Sequence, residues 1–74
     1  MRDEQREMAR RVRQVRVERF GEQGVPVVAD LLCVPAHTWR KFEAGARIPA
    51  PAVRRFLELT GASARWLRTG KGTR

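Results

Sequence analysis

The side chains that could serve as nucleophiles, acids, bases or metal ligands are few in this chain. It has one cysteine, Cys33, one histidine, His37, one serine, Ser63, and no tyrosine. Cys33 and His37 lie four residues apart, but no other thiol or imidazole is present to complete a zinc site. The pair also lacks a third group that would orient the histidine as a base. We therefore expect neither an enzyme nor a bound metal or other cofactor.

Positive charge is the other chemical resource of the sequence. Sixteen Lys and Arg residues against eight Asp and Glu residues give 74 residues a net charge of +8. Such an excess is typical of small domains that bind a polyanion. Nucleic acid is the favoured polyanion, and an anionic membrane surface is the alternative. No apolar run approaches the roughly 20 residues that span a bilayer, and no signal peptide is recognisable. We expect a cytoplasmic protein that does not enter a membrane, and a single cysteine agrees with a reducing compartment.

The charge is unevenly distributed along the chain. The first segment mixes seven arginines with four acidic residues, several of them at helical spacing, such as Glu7 with Arg10 and Arg11. We interpret it as a solvated face with ion pairs; contact of Arg10 or Arg13 with a phosphate is the alternative. Residues 54–74 contain six basic residues and only one acidic residue. That part of the surface could follow a DNA backbone or bind an acidic partner.

The spacing of apolar residues predicts an all-α fold of five short helices, because no segment alternates convincingly between polar and apolar residues. Met8, Val12 and Val15, for example, mark one face of the first helix. The predicted helices run from about Arg2 to Arg19, from about Pro26 to near Cys33, from about Pro35 to Ala44, from Pro51 to Gly61, and after an N-cap at Ser63 through Trp66 and Leu67. Trp39, Phe42 and Trp66 are expected in the core. Residues 1–72 are predicted to form one domain, and residues 73–74 a flexible tail.

Residues 28–48 are the most informative part of the sequence, and they contain most of a helix-turn-helix predicted at about residues 25–44. An apolar helix leads into a short break at Cys33-Val34-Pro35, and a polar, basic helix follows and stops at Gly45. Two short helices joined by a tight turn, the second of them basic, are typical of a helix-turn-helix motif. In that motif the second helix enters the DNA major groove while the first lies across the backbone.

The order of these elements resembles the lambda repressor and Cro-like DNA-binding domain, also called the XRE family, over about residues 10–72. The sequence pieces that carry the resemblance are Ala29, Phe42-Glu43-Ala44-Gly45, Pro49 and the run from Gly61 to Gly72 (GASARWLRTGKG). Each piece alone is weakly specific, whereas their order and spacing together are specific. The resemblance implies a transcriptional regulator, for example a repressor of the Cro/C1 type. Such a protein binds double-stranded DNA as a homodimer on a short two-fold operator.

The resemblance also implies which side chains meet DNA. His37 and Lys41 match positions that face bases in the family. Lys41 can donate to guanine O6 or N7, and His37 can bond a purine edge or a phosphate. Ala36 matches a third groove-facing position and offers only apolar contact, for example to a thymine methyl group. The alternative is that His37 and Lys41 are ordinary solvated residues on an exposed helix.

Three further residues are candidates for contact with the DNA backbone. Arg40 is as well suited to a phosphate as to a base. Thr38 could bond a phosphate or cap the helix. Arg47, in the loop after the basic helix, is placed to neutralise backbone charge.

The chain departs from the family at three places within the motif. Cys33 stands where the family usually has glycine, and since φ > 0 is unfavourable for cysteine, the turn is expected to be built differently. Gly24-Val25 replaces Ser-Gln, so a side-chain grip on phosphate is lost and backbone N–H groups remain. Pro35-Ala36 replaces a polar N-cap.

The resemblance further implies a structural ion pair between Arg16 and Glu43. The family residues that match these positions form a salt bridge between the first and third helices. Arg16 lies at the edge of the first helix's apolar face, where its stem can cover apolar surface while the guanidinium reaches sideways. We expect a partly buried, bidentate pair that fixes the tilt of the basic helix.

Two other functions remain open from the sequence. The first is a protein-interaction module, such as an antitoxin whose basic surface binds an acidic protein partner. The second is RNA binding, which is less favoured because the chain lacks exposed aromatic residues placed to stack on single-stranded bases.

Overall fold

The computed structural model describes residues 2–73, and within them the chain forms five α-helices and no strand. The helices are α1 (Arg2–Phe20), α2 (Val25–Leu31), α3 (Ala36–Glu43), α4 (Ala50–Thr60) and α5 (Ala64–Thr69). The predicted all-α, five-helix fold is therefore confirmed. Arg74, the last residue of the predicted tail, lies outside the described residues.

One hydrophobic cluster joins all five helices. Trp39 lies at its centre: its ring meets Phe42 edge-on with centroids 5.8 Å apart, and Phe56 in a tilted arrangement with centroids 5.3 Å apart. The other buried members are Val12 and Val15 of α1, Val25, Val28 and Ala29 of α2, Leu32, Val53 of α4 and Leu67 of α5. The core positions expected for Trp39 and Phe42 are confirmed, whereas Trp66 is only partly buried and packs against the cluster.

The helix ends differ from the predicted ones by one or two residues. α2 ends at Leu31 rather than near Cys33, because Cys33 adopts a left-handed φ of 60°. α3 begins one residue later than predicted, because Pro35 is extended, with φ −62° and ψ 146°. The N-cap predicted at Ser63 is confirmed: its hydroxyl accepts a 3.2 Å hydrogen bond from the Trp66 amide.

The corner between α1 and α2 depends on a close approach at Gly24. This residue is buried, and a Cβ there would lie 2.5 Å from the Phe20 carbonyl oxygen. Since real Cβ atoms essentially never come within 3.0 Å of such an atom, a side chain at this position would push α2 away from the end of α1. The missing side chain of Gly24 therefore helps to set the position of the helix-turn-helix segment on α1.

Some features are absent from residues 2–73. None of their helices is long and apolar enough to cross a membrane. Nor do these residues contain a group of three or more His, Cys, Asp or Glu side chains that could hold a metal ion. Cys33 is exposed and forms no disulfide.

Candidate nucleic-acid interface

The two faces of α3 differ in character. Trp39 and Phe42 are buried in the core, whereas His37, Arg40 and Lys41 are exposed. At about 100° per residue, His37 and Lys41 lie opposite the buried aromatic rings and next to each other, with Arg40 to one side. The structure thus brings His37 and Lys41 together on one solvent-facing surface, from which both could reach into a groove.

The remaining candidates are placed less uniformly. Ala36 is only partly exposed and packs against the hydrophobic cluster, so it offers little apolar surface to a base. Thr38 is half-buried, and no side chain caps the start of α3, where the Pro35 carbonyl accepts the first amide hydrogen bonds. The capping alternative for Thr38 is therefore wrong. Arg47 is exposed in the loop between α3 and α4, as a backbone contact requires.

The turn between α2 and α3 keeps a left-handed residue despite the cysteine. Cys33 has φ 60°, and its amide donates to the Asp30 carbonyl over 3.1 Å. The next amide, that of Val34, donates to the Ala29 carbonyl over 2.9 Å. We expected this turn to differ from that of the family because cysteine disfavours φ > 0. That expectation is wrong, because Cys33 adopts the positive φ that glycine would have there. Ala29, whose carbonyl accepts the hydrogen bond from Val34, is buried, with 2% of its surface exposed.

The start of α2 provides no polar side chain. Gly24 is the N-cap and has no side chain, and Val25 is 7% exposed and belongs to the core. The structure therefore agrees with the sequence on this departure, because neither residue could replace the side-chain grip of the Ser-Gln pair.

The structure brings Arg16 and Glu43 together in a bidentate ion pair, as the resemblance implied. Arg16 Nε lies 2.8 Å from Glu43 Oε2, and Arg16 Nη2 lies 2.8 Å from Oε1. The two side chains are 4% and 9% exposed. Arg16 Nη1 also donates to the carbonyl oxygens of Gly21 and Glu22, at 2.6 and 3.0 Å. One guanidinium thus connects α1, the loop before α2 and the end of α3.

A third hydrogen bond to Glu43 comes from the core. Trp39 Nε1 donates to Glu43 Oε2 over 2.6 Å, so that one carboxylate accepts three hydrogen bonds. The hydrogen bond to Glu43 raises the pKa of Arg16 above its ordinary value, and burial acts in the opposite direction. Arg16 therefore stays charged throughout the neutral pH range.

This network determines the charge that α3 presents to solvent. Glu43 is the only acidic residue of α3, and its carboxylate points into the network rather than outward. The fixed charges that remain on the exposed face, those of Arg40 and Lys41, are both positive. The pair thus holds the helix and also removes the one negative charge that would repel phosphate.

The arginines of α1 form several of the expected ion pairs. Glu7 lies 3.7 Å from Arg10 and 3.9 Å from Arg11, which confirms the pairs predicted from their spacing. Arg13 pairs with Glu22 over 3.2 Å. These contacts favour the interpretation of α1 as a solvated face with ion pairs, although Arg10 and Arg13 remain exposed.

Sequence reasoning missed several features of this region, and two of them bear on the candidate interface. The Trp39–Glu43 hydrogen bond could have been found, because residues four apart face each other on a helix. The second has no local signal: Arg68 of α5 lines the same open groove as Arg47, Ile48 and Val53. Arg68 entered the sequence analysis only as one of six basic residues near the C-terminus, since nothing in the pattern connects α5 to the loop after α3.

The comparison with known families agrees with this geometry. A family model described as a helix-turn-helix domain matches residues 7–68, from the first half of α1 into α5. No curated protein and no solved structure matches the chain significantly. The matched residues include α2, the turn at Cys33 and α3, and they are consistent with the resemblance to lambda repressor-like domains. The chain belongs to the helix-turn-helix domain family.

Proposed function

We propose that this domain binds double-stranded DNA in a sequence-specific manner and regulates transcription. Membership of the helix-turn-helix domain family suggests DNA binding. The observation that carries the proposal is the exposed face of α3, which presents His37, Arg40 and Lys41 while its only acid is held inward by Arg16. A helix with this face is suited to the negatively charged major groove.

The proposed mechanism is binding alone. Lys41 donates to guanine O6 or N7, and His37, one turn away, bonds a purine edge or a phosphate. Arg40 and Arg47 neutralise phosphates, which adds affinity without sequence preference. Because α3 is fixed to α1 and to the loop before α2 by the Arg16 network, its side chains approach the bases with little loss of conformational freedom.

The length of α3 supports a homodimer. Eight residues make a helix about 12 Å long, which spans roughly four base pairs at about 3.4 Å each. A site that short recurs very often in a genome, so one copy of α3 cannot specify an operator. Two copies related by a two-fold axis would double the site and place two half-sites about one helical turn, roughly 34 Å, apart.

Selection of binding sites from random duplexes tests the proposal. We expect an enriched sequence with two-fold symmetry and half-sites about 10 base pairs apart. The matched control is the His37→Ala/Lys41→Ala variant, which should enrich no sequence although its fold is unchanged, because both side chains are exposed. Enrichment of a single asymmetric half-site would contradict the homodimer alone. No enrichment by the parent protein would contradict sequence-specific binding.

A further inference from the structure

The positive charge of the domain is concentrated away from α3. Residues 50–73, which include α4 and α5, contain five basic residues and one acidic residue, Glu58. Residues 2–31 contain seven arginines but also six acidic residues, so they are nearly balanced. We call the five basic residues the α4–α5 basic surface: Arg54, Arg55, Arg65, Arg68 and Lys71.

These five side chains are exposed and unused by the fold. None has an ion pair or a side-chain hydrogen bond within the part of the chain that the structure describes. Glu58 follows Arg54 by one helical turn, yet the two form no ion pair among those residues. The contrast with α1 is clear, because Arg10, Arg13 and Arg16 all have carboxylate partners there. Charge that the fold leaves unpaired in this way is available to a ligand.

The surface is connected to the candidate DNA-binding face through Arg68. This residue lines the same groove as Arg47 and Ala50, which belong to the loop after α3 and the start of α4. Arg54 and Arg55 lie on the side of α4 that faces away from Phe56 and the core. Positive charge is therefore present along this groove, from Arg47 in the loop after the proposed reading helix to Arg68 of α5.

We infer that the α4–α5 basic surface binds phosphate groups of the nucleic-acid backbone outside the base pairs that α3 reads. This inference rests on the proposed function and adds a second contact region to it. Four of the five residues are arginines, whose planar guanidinium groups match two phosphate oxygens at once. The surface supplies affinity that is independent of sequence, whereas α3 supplies the sequence preference.

The composition of the surface favours phosphate over an acidic protein. Protein interfaces draw most of their binding energy from buried aromatic and apolar anchors. Leu59, 38% exposed, is the only large exposed hydrophobic residue found on α4 or α5, and Trp66 is partly covered by the core. Charge without such anchors is suited to a ligand that itself offers mainly charge, as a phosphate backbone does.

The test compares two variants of the full chain that lose the same net charge. The surface variant carries glutamine at four positions: Arg54→Gln, Arg55→Gln, Arg65→Gln and Arg68→Gln. The control variant carries glutamine at four exposed positions of α1: Arg6→Gln, Arg10→Gln, Arg13→Gln and Arg19→Gln. Affinities for a selected duplex and for a scrambled duplex are measured over a range of salt concentrations, and circular dichroism checks that the helix content is unchanged.

The salt dependence gives the expected result. Each phosphate contact contributes about 0.9 to the slope of log K against log salt, so losing two to four contacts lowers the slope by about 1.8–3.6. The control variant should keep most of its slope, because Arg10 and Arg13 already have carboxylate partners and residues 2–31 are nearly balanced in charge. Both variants should keep the parent's ratio of selected to scrambled affinity, since α3 is unchanged.

Four outcomes would overturn the inference. A surface variant that keeps the parent's slope would show that these arginines contact no phosphate. Two variants with equal losses would show that net charge rather than this surface matters. DNA binding itself stands in both cases. Polyglutamate that displaces the duplex at equal charge would assign the surface to an acidic protein. A parent chain that binds no duplex even at low salt would remove the proposed function together with the inference.

Discussion

Neutralising Arg16 while Glu43 stays charged should destabilise this domain more than neutralising both. The Arg16→Met variant leaves the Glu43 carboxylate 9% exposed, and Trp39 Nε1 is then its remaining hydrogen-bond donor among residues 2–73. The Glu43→Gln variant leaves a guanidinium, 4% exposed, that has lost its paired carboxylate and keeps only the weaker coulombic attraction of Glu22. In the double variant neither charge remains, and the glutamine Oε1 can still accept the hydrogen bond from Trp39.

The burial of the pair sets the size of the effect. Removing one partner of a buried ion pair costs about 3–5 kcal/mol, because the other charge stays buried and unpaired. A domain of 74 residues has a free energy of unfolding of about 4–11 kcal/mol, at roughly 0.05–0.15 kcal/mol per residue. Either single variant is therefore expected to lose a large part of its stability. The double variant should lose less than either, since replacing both charges is often neutral.

Urea unfolding followed by circular dichroism measures these differences, because the helix signal does not depend on Trp39. The coupling energy between the two sites should reach at least about 2 kcal/mol, which lies towards the upper end of the coupling energies measured for residues in contact. If a single variant is already unfolded in water, trimethylamine N-oxide can be added to all four proteins, since it strengthens folded states generally. The order of stabilities is then compared at equal osmolyte concentration.

The exposed pair between Arg13 and Glu22 provides the matched control. Its partners lie 3.2 Å apart, but their side chains are 52% and 68% exposed. The corresponding cycle, with Arg13→Met and Glu22→Gln, should give a coupling of at most about 1 kcal/mol. Equal coupling in the two cycles, or a double Arg16 and Glu43 variant as unstable as the sum of its single variants, would refute the reasoning from burial.

Three other predictions concern reading, the turn and the α1–α2 corner. Lys41→Ala should cost about 1–3 kcal/mol on the preferred duplex and relax its sequence preference, whereas Arg47→Ala should weaken all duplexes nearly equally and reduce the salt slope; equal behaviour in titrations would contradict this division. Cys33→Gly should raise the free energy of unfolding by up to about 1 kcal/mol, because it relieves the left-handed φ of 60° at some entropic cost, and a loss of stability in urea would contradict that. Gly24→Ala should lower the free energy of unfolding by about 1–3 kcal/mol through main-chain overlap, whereas Gln23→Ala, an exposed neighbour, should change it by at most about 0.5 kcal/mol; equal effects would show that the corner tolerates a side chain.

Local patterns in the sequence account for most of the fold. The spacing of Met8, Val12 and Val15 identified the first helix, and Ser63 marked the start of the last one. Both signals act within one or two helical turns, which is the range that apolar periodicity and capping describe. The helix ends beside the turn were less accurate, because Cys33 and Pro35 set them through their φ and ψ values.

Contacts between distant parts of the chain were accessible only in part. The Arg16–Glu43 pair came from the family resemblance, since no local pattern connects two residues 27 positions apart. The two loop carbonyls that Arg16 also binds, and the groove shared by Arg47 and Arg68, had no signal in the sequence. The same holds for the inward direction of the Glu43 carboxylate, on which the positive face of α3 depends.

The central claim, sequence-specific recognition by α3, is tested most directly by one ratio of affinities. The parent chain is titrated with its selected duplex and with a scrambled duplex of equal length and composition at physiological salt. We predict that the selected duplex binds about 10³-fold or more tightly, because specific protein–DNA complexes exceed non-specific ones by at least that factor. Equal affinities for the two duplexes would contradict the account, since they would leave only phosphate attraction and no reading of bases by His37 and Lys41.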